Sequence, residues 1–276
     1  MPGMKSLARS LGLLFFASVG LADQPESEKL AARELRELGL HVFIDLDSGR
    51  VDEVNGNGNE RLTDADFTRV ADLPMLTDLS LERTAIGDSG LKHVAGLTNL
   101  EWLNLYRTNV GDAGLENFVG LEKLQQLPIG ETRVTDAGLP RIAKLKSLIY
   151  LGLRGNAITD AGLADLEGMT ELTGLHLGQT EVSDRGLKGL NKLVNLERLW
   201  LHDTAVTNDG VQQLLANLSS LRELHLQRTR LTIDAIRELR EAHPDCRIFY
   251  ESDPVSSQST ESPSRPDQQP EPSAQP

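Results

Sequence analysis

The side chains in this 276-residue chain best suited to chemistry are three histidines, a regular series of aspartates and a small set of rings. His176, His202 and His225 recur at nearly one spacing, so a fold that stacks that spacing sets their imidazoles on adjacent strands as candidate metal ligands. A metal site also needs a further ligand and groups that orient the first ones, and Asp203 is the nearest carboxylate in sequence. Ordinary polar surface is the stronger reading, so no metal is expected. Asp88, Asp112, Asp136, Asp160 and Asp184 form a carboxylate ladder that suggests calcium. Each, however, stands just ahead of an apolar stripe, where a carboxylate caps a helix. Asn55-Gly56-Asn57-Gly58-Asn59, with Asp66 at the twelfth place, lacks the central glycine of a calcium loop and offers amides in place of carboxylates, so it reads as a turn. No Ser/His/Asp or Cys/His set lies in an identifiable motif, and no phosphate-binding glycine loop precedes a helix. The sequence therefore offers no catalytic residue and no cofactor, and the expectation is a protein that is not an enzyme.

What positions these residues is a period of 24. Leu76, Leu100, Leu124, Leu148, Leu172 and Leu196 each open the pattern L-x-x-L-x-L, followed by Leu221 after a one-residue slip. Half a unit later comes D-x-G-L, as at Asp88-Ser89-Gly90-Leu91. A fixed period of this length means one supersecondary unit stacked many times, since no unit buries its apolar face alone. Leu79-Ser80-Leu81 alternates as a half-buried strand does. Leu91, Val94 and Leu97 follow helical spacing. The glycine leaves room between neighbouring coils. A threonine column (Thr84, Thr108, Thr132, Thr180, Thr204, Thr229), with Asn156 in the fourth unit, falls where the chain turns inward and satisfies backbone groups there.

These motifs resemble those of leucine-rich-repeat proteins, specifically the short-repeat bacterial kind with the signature L-x-x-L-x-L-x-x-T-x-[VI]-[TSG]-D-x-G-L. The likeness runs over residues 50 to 250. It implies an α/β solenoid: a curved stack with parallel strands on the concave side and helices or tight turns on the convex side. Two departures stand out. Asn208 replaces the aspartate in a unit that gains one residue, so a bulge is expected between Val211 and Leu221. Pro128 sits mid-strand and removes a ladder donor, predicting a local flaw in the sheet.

The ends differ from the middle. Residues 1–22 read as a secretory signal, with Lys5 and Arg9, an apolar run from Leu11 to Gly20, and Gly20-Leu21-Ala22 as cleavage site. The run is too short to span a bilayer, so no stable membrane insertion is expected. The chain is expected to be exported, to periplasm, cell envelope or medium. Residues 23–75 form an N-terminal cap with a helix from Ser27 to Leu38, strands His41 to Asp45 and Val51 to Asn55, and a degenerate repeat. The repeats fill 76–232, and a helix from Ile233 to Ala242 and a strand at Arg247 to Tyr250 make a cap over 233–251. Residues 252–276 hold six of the 12 prolines and seven serines, a composition unable to offset its ordering entropy, and are expected to be disordered.

The net charge of −13 becomes −15 once Lys5 and Arg9 leave with the signal (−13 minus 2), which opposes binding to nucleic acid or anionic lipid. Cys246, the one cysteine, makes no internal disulfide and is read as a buried hydrophobe. A monomer is expected.

Alternate strand residues point to the concave side. One outward column reads Asp78, Trp102, Gln126, Tyr150, Gly174, Arg198, Glu223; the next Ser80, Asn104, Pro128, Gly152, His176, Trp200, His225; the third Glu82, Tyr106, Gly130, Arg154, Gly178, His202, Gln227. Both tryptophans and two of the three tyrosines fall in these columns, where rings either stack on one another across strands or form a contact surface, and the second is the leading reading. The partner-binding residues expected are Trp102, Tyr106, Tyr150, Arg154, His176, Trp200, His202 and His225. Gly130, Gly152 and Gly174 predict a shallow well among these rings. The leading function is binding of a protein or peptide on the concave sheet. The alternatives are a carbohydrate or envelope-polymer module stacking sugars on the rings, and an accessory or inhibitor subunit of an enzyme.

Overall fold

Apolar alternation every 24 residues builds one ten-stranded sheet in chain order: β1 His41–Ile44, β2 Val51–Asn55, β3 Asp78–Ser80, β4 Trp102–Asn104, β5 Gln126–Pro128, β6 Tyr150–Gly152, β7 Gly174–His176, β8 Arg198–Trp200, β9 Glu223–His225 and β10 Arg247–Phe249. The computed structural model describes residues 24–250. The expected signal (1–22) and tail (252–276) lie outside the described residues. β1 and β2 pair as an antiparallel hairpin, and every later neighbour is parallel. Helix α1, Glu26–Glu37, closes the first coil.

The inner residue of each strand is a leucine, and Leu79, Leu103, Leu127, Leu151, Leu175, Leu199 and Leu224 are all buried and in register. β4 and β5 share only the pair Trp102–Gln126, the flaw expected from Pro128, yet Leu105 N–H still donates to the Pro128 carbonyl at 2.8 Å. The ladder is thinned there, and the sheet continues through it.

The convex side is mostly 3₁₀-helical, as in Gly90–His93, Gly114–Phe118 and Gly162–Gly168, with short α-turns α2 Leu139–Ile142 and α3 Asp184–Leu187. The reason is arithmetic. Leu91, Val94 and Leu97 are spaced by three, which lines up on a helix of three residues per turn. The extra residue of the sixth unit restores a period near 3.6, and the segment expected to bulge becomes a regular ten-residue helix, α4 Asn208–Asn217. The last helix, α5 Ile233–Ala242, packs on β10.

The aspartate ladder corrects the capping expectation. Asp88 does not cap its own helical turn; its Oδ1 accepts from Gly111 N–H of the next coil at 2.6 Å. Asp64 does the same to Gly87, and Asp112, Asp136, Asp160 and Asp184 to Thr135, Thr159, Ser183 and Thr207 at 2.7–2.9 Å. In these last four the second carboxylate oxygen also accepts the hydroxyl proton. Asn208 continues the series to Thr232 N–H at 3.1 Å. Helix caps come instead from Thr135, Ser183 and Thr232. Sequence spacing placed the carboxylate correctly along the chain but cannot show which coil it reaches.

The glycine of D-x-G-L is explained by the same rung. A methyl group on Gly162 would lie 2.8 Å from Leu139 Cδ1 and closer still to the Asp136 carboxylate. Gly162→Ala is therefore expected to destabilise the chain by about 1–3 kcal/mol. Gly96→Ala, where a methyl meets nothing within 4 Å, should leave stability unchanged or raise it slightly. Paired urea titrations check this, and equal midpoints for the two variants would refute the rung's role.

Each threonine of the column donates its hydroxyl to the carbonyl three residues back, as Thr84 does to Leu81 at 2.8 Å and Thr204 to Leu201 at 2.6 Å. Asn156 acts differently from the expected local role. It is buried and reaches back one coil, donating to Ile129 O at 2.9 Å and accepting from Thr132 N–H at 2.8 Å.

Candidate functional site

The concave face is built from side chains at one strand spacing, about 4.8 Å. The three outward columns expected from alternation hold in register from β3 to β9. The hairpin and last strand extend them: Phe43 pairs with Glu53, which pairs with Asp78 and then Trp102, while Phe249 pairs with His225. Neither Phe43 nor Phe249 was singled out from the repeats. Both lie in caps where the leucine pattern fails, and only the pairing places them on this face.

The C-terminal half of the face is closed on itself. His176 stacks on Trp200 with centroids 5.3 Å apart and planes at 6°. Trp200 stacks on His225 at 5.4 Å, and His225 on Phe249 at 4.3 Å. Tyr150 meets the edge of Trp200 at 6.2 Å, and His202 meets His176 edge-on at 5.2 Å. Tyr150, His176, His202 and His225 are consequently buried, and Trp200 is partly buried. In this half of the face the rings stack on one another, because flat rings one strand spacing apart cover one another's faces.

The expected glycine well is likewise filled. A methyl group on Gly174 would lie 2.9 Å from the Tyr150 ring and one on Gly152 3.2 Å from the Tyr150 hydroxyl. The Tyr106 ring lies over Gly130 and His202 over Gly178. The glycines let rings lie down on the sheet; they do not open a cavity.

Burial sets the electrostatics. With little solvent and cations nearby, the imidazoles are held neutral: His176 well below the ordinary histidine range, His202 lower despite Asp203, and His225 at about 4. His202 Nδ1 lies 2.7 Å from Asp203 Oδ2, and Arg228 grips both oxygens of Asp203. His176 Nδ1 accepts from Gly178 N–H at 3.2 Å. Nδ1 of His176 and of His202 is thus engaged within the protein, and among the described residues no three His, Cys, Asp or Glu side chains converge on one point. Both indole N–H groups, of Trp102 and Trp200, are buried without an acceptor among the described residues, at a cost of about 1–3 kcal/mol each.

A second network runs along the strand ends, on the bend where one residue per coil is left-handed: Arg83, Arg107, Glu131, Gln179, Asp203 and Arg228 all have φ between 50° and 59°. Glu131 accepts from Arg107 Nε at 2.5 Å and from the Tyr106 hydroxyl, which burial first and this bond second push up to about 12. Arg154 donates to Gln179 at 2.8 Å and lies 3.9 Å from Glu131. Arg154, expected to await a partner, is held within the protein.

Of the residues expected to bind a partner, Trp102 and Tyr106 remain partly exposed on the N-terminal half of the face, beside Phe43, which is 48% exposed. The other six are tied into the ladder or the strand-end network, which Tyr106 also joins through its hydroxyl bond to Glu131.

Residues 61–258 match the family model described as a leucine-rich repeat region. Among solved structures, internalin C2 from Listeria monocytogenes is similar at 21% identity and a TM-score of 0.55, over 73% of this chain and 81% of that one. The leucine-rich-repeat ectodomain of the Arabidopsis receptor kinase HAESA, in complex with an N-terminally extended IDA peptide hormone, is similar at 17% identity and a TM-score of 0.51. That match covers 74% of this chain and 46% of the ectodomain, so this chain spans less than half the ectodomain's length. At these identities the likeness is one of fold. No curated protein matches the sequence.

Proposed function

This chain belongs to the leucine-rich-repeat family, whose repeats generally serve protein–protein interaction, and we propose that it is an exported, non-enzymatic module holding a protein or peptide partner on the N-terminal half of its concave sheet. One observation carries the reading. Phe43 is exposed and Trp102 and Tyr106 are partly exposed with no ring stacked on them among the described residues, while Trp200 and Phe249, also partly exposed, are stacked with His176 and His225 in the ladder. A preformed surface loses little conformational freedom on binding, so a few ring anchors suffice for affinity. The HAESA ectodomain, of the same fold, was solved with a peptide hormone, which supports a peptide as the kind of partner. Export rests on the Lys5/Arg9 start and apolar run ahead of Ala22. Stacking of sugars is disfavoured at Trp200, whose two faces are taken by His176 and His225.

The test is affinity capture from envelope extract with the full chain, a Phe43→Ala/Trp102→Ala variant, and an Arg185→Glu/Lys188→Glu variant on the convex side. A protein retained by the wild type and the convex variant and lost by the concave one is the expected result. Equal retention by all three would overturn the reading.

A further inference from the structure

We propose that the outer edge of β10 is a pairing surface for a second copy of this chain, and that Arg240 holds it closed. The inference is independent of what binds the concave face.

Its basis is where the polar groups of β10 point. Arg247 N–H donates to the Arg222 carbonyl at 2.7 Å, and the Phe249 carbonyl accepts from Leu226 N–H at 2.8 Å. Both bonds run toward the β9 side. Backbone groups of successive strand residues point to opposite edges, so the N–H and carbonyl of Ile248, between those two residues, point away from the sheet. β10 is the last strand, with no strand beyond it among the described residues. The Ile248 side chain is buried, which fixes these outward groups in place.

One side chain meets the outward carbonyl. Arg240 of α5 donates to it from Nε at 3.1 Å and from Nη2 at 2.5 Å. The opposite edge repeats the arrangement: Arg36 of α1 donates from Nη2 to the Val42 carbonyl of β1 at 2.8 Å. Each capping helix thus sends an arginine onto a carbonyl of the edge strand beside it. An uncovered edge is a template for pairing with another chain, and a charged side chain laid across it removes an acceptor.

A second copy is the occupant that this edge specifies. Two β10 strands related by a two-fold axis at Ile248 run antiparallel, and the two Ile248 residues then exchange both N–H···O bonds. In that register Arg247 of each copy lies opposite Phe249 of the other, so like charges do not meet. The Arg247 guanidinium already lies 5.0 Å from the ring centroid of Phe249 in its own chain, and the facing ring offers it the same attraction. The Arg240 guanidinium stands where the second copy's N–H would donate.

Sedimentation velocity of the full chain at rising concentration is the test. Arg240→Met removes the guanidinium and keeps the stem; Arg237→Met, at an exposed residue of the same helix bound to Asp234, is the control. Wild type and Arg237→Met are expected to stay monomeric. The mass of Arg240→Met should rise about twofold with concentration, and hydrogen exchange at the Ile248 amide should slow in step. Circular dichroism shows whether each variant is folded. A folded Arg240→Met that stays monomeric, or that associates with Ile248 exchange unchanged, would overturn the proposal, as would a wild type already paired. If Arg240→Met does not fold, Arg36→Met makes the same test at β1, read at the Val42 amide. Unfolding of both would assign the two arginines to stability alone and overturn it as well.

Discussion

Trp200→Ala is expected to destabilise the C-terminal coils by about 3 kcal/mol while leaving partner capture unchanged. The indole fills the space between His176 and His225 and meets Tyr150 at its edge, so its removal strips three ring contacts together. Loss of a buried aromatic side chain costs about 3–5 kcal/mol. Trp200 belongs at the lower end because it is only partly buried and its N–H has no acceptor among the described residues. Repeat proteins unfold by neighbouring units, so the loss should appear as early melting of the last coils. Urea titration followed by hydrogen exchange checks this. A variant as stable as wild type, or one that stays folded yet fails to capture the partner, would contradict the assignment of this ring to the structure.

Acidification from pH 7 to pH 5 should lower stability by about 2 kcal/mol through His225 alone. The sign follows from linkage. His225 is held at about 4 in the fold against 6.5 ordinarily, so the unfolded chain binds the proton first and stability, complete above pH 6.5, falls as the pH drops toward 4. His176, lowered further by burial beside His202, Arg154 and His225, adds in the same direction. Burial is the main cause for His225 too, with His202 and Arg247 adding repulsion. His202 is lowered less directly, since Asp203 opposes its burial. Glu28, Glu131 and Asp203, all held low by arginine partners, lose their contribution only as the pH falls below about 4.5, outside this interval. Urea midpoints at pH 7, 6 and 5 measure the slope, and His176→Gln/His225→Gln should flatten it. A flat wild-type profile would mean that these imidazoles are solvated.

Much of the fold was legible because burial repeats with the chain. Leu79 and Leu81 announce a strand, and the spacing of Leu91, Val94 and Leu97 announces the return; with a strict period the register of all later strands follows. What the sequence could not show was reach across coils. Asp88 was placed at the right point but bonds to Gly111 one coil on, and Asn156 to Ile129 one coil back. Columns could be written down, yet whether a ring stands up or lies flat depends on its neighbours' size. Gly152 and Gly174 let Tyr150 lie down, and the column containing His176, Trp200 and His225 became a stack. Phe43 was missed for the opposite reason, since it enters the face through an antiparallel hairpin outside the period.

Hydroxyl-radical footprinting of the full chain, alone and with its captured partner, tests the central claim most directly. Oxidation of Phe43, Trp102 and Tyr106 should fall on binding, while that of Val119 and Ile233, exposed outside the concave strands, stays unchanged. Protection confined to Val119 or Ile233, with the three rings still oxidised at their free rate, would contradict it.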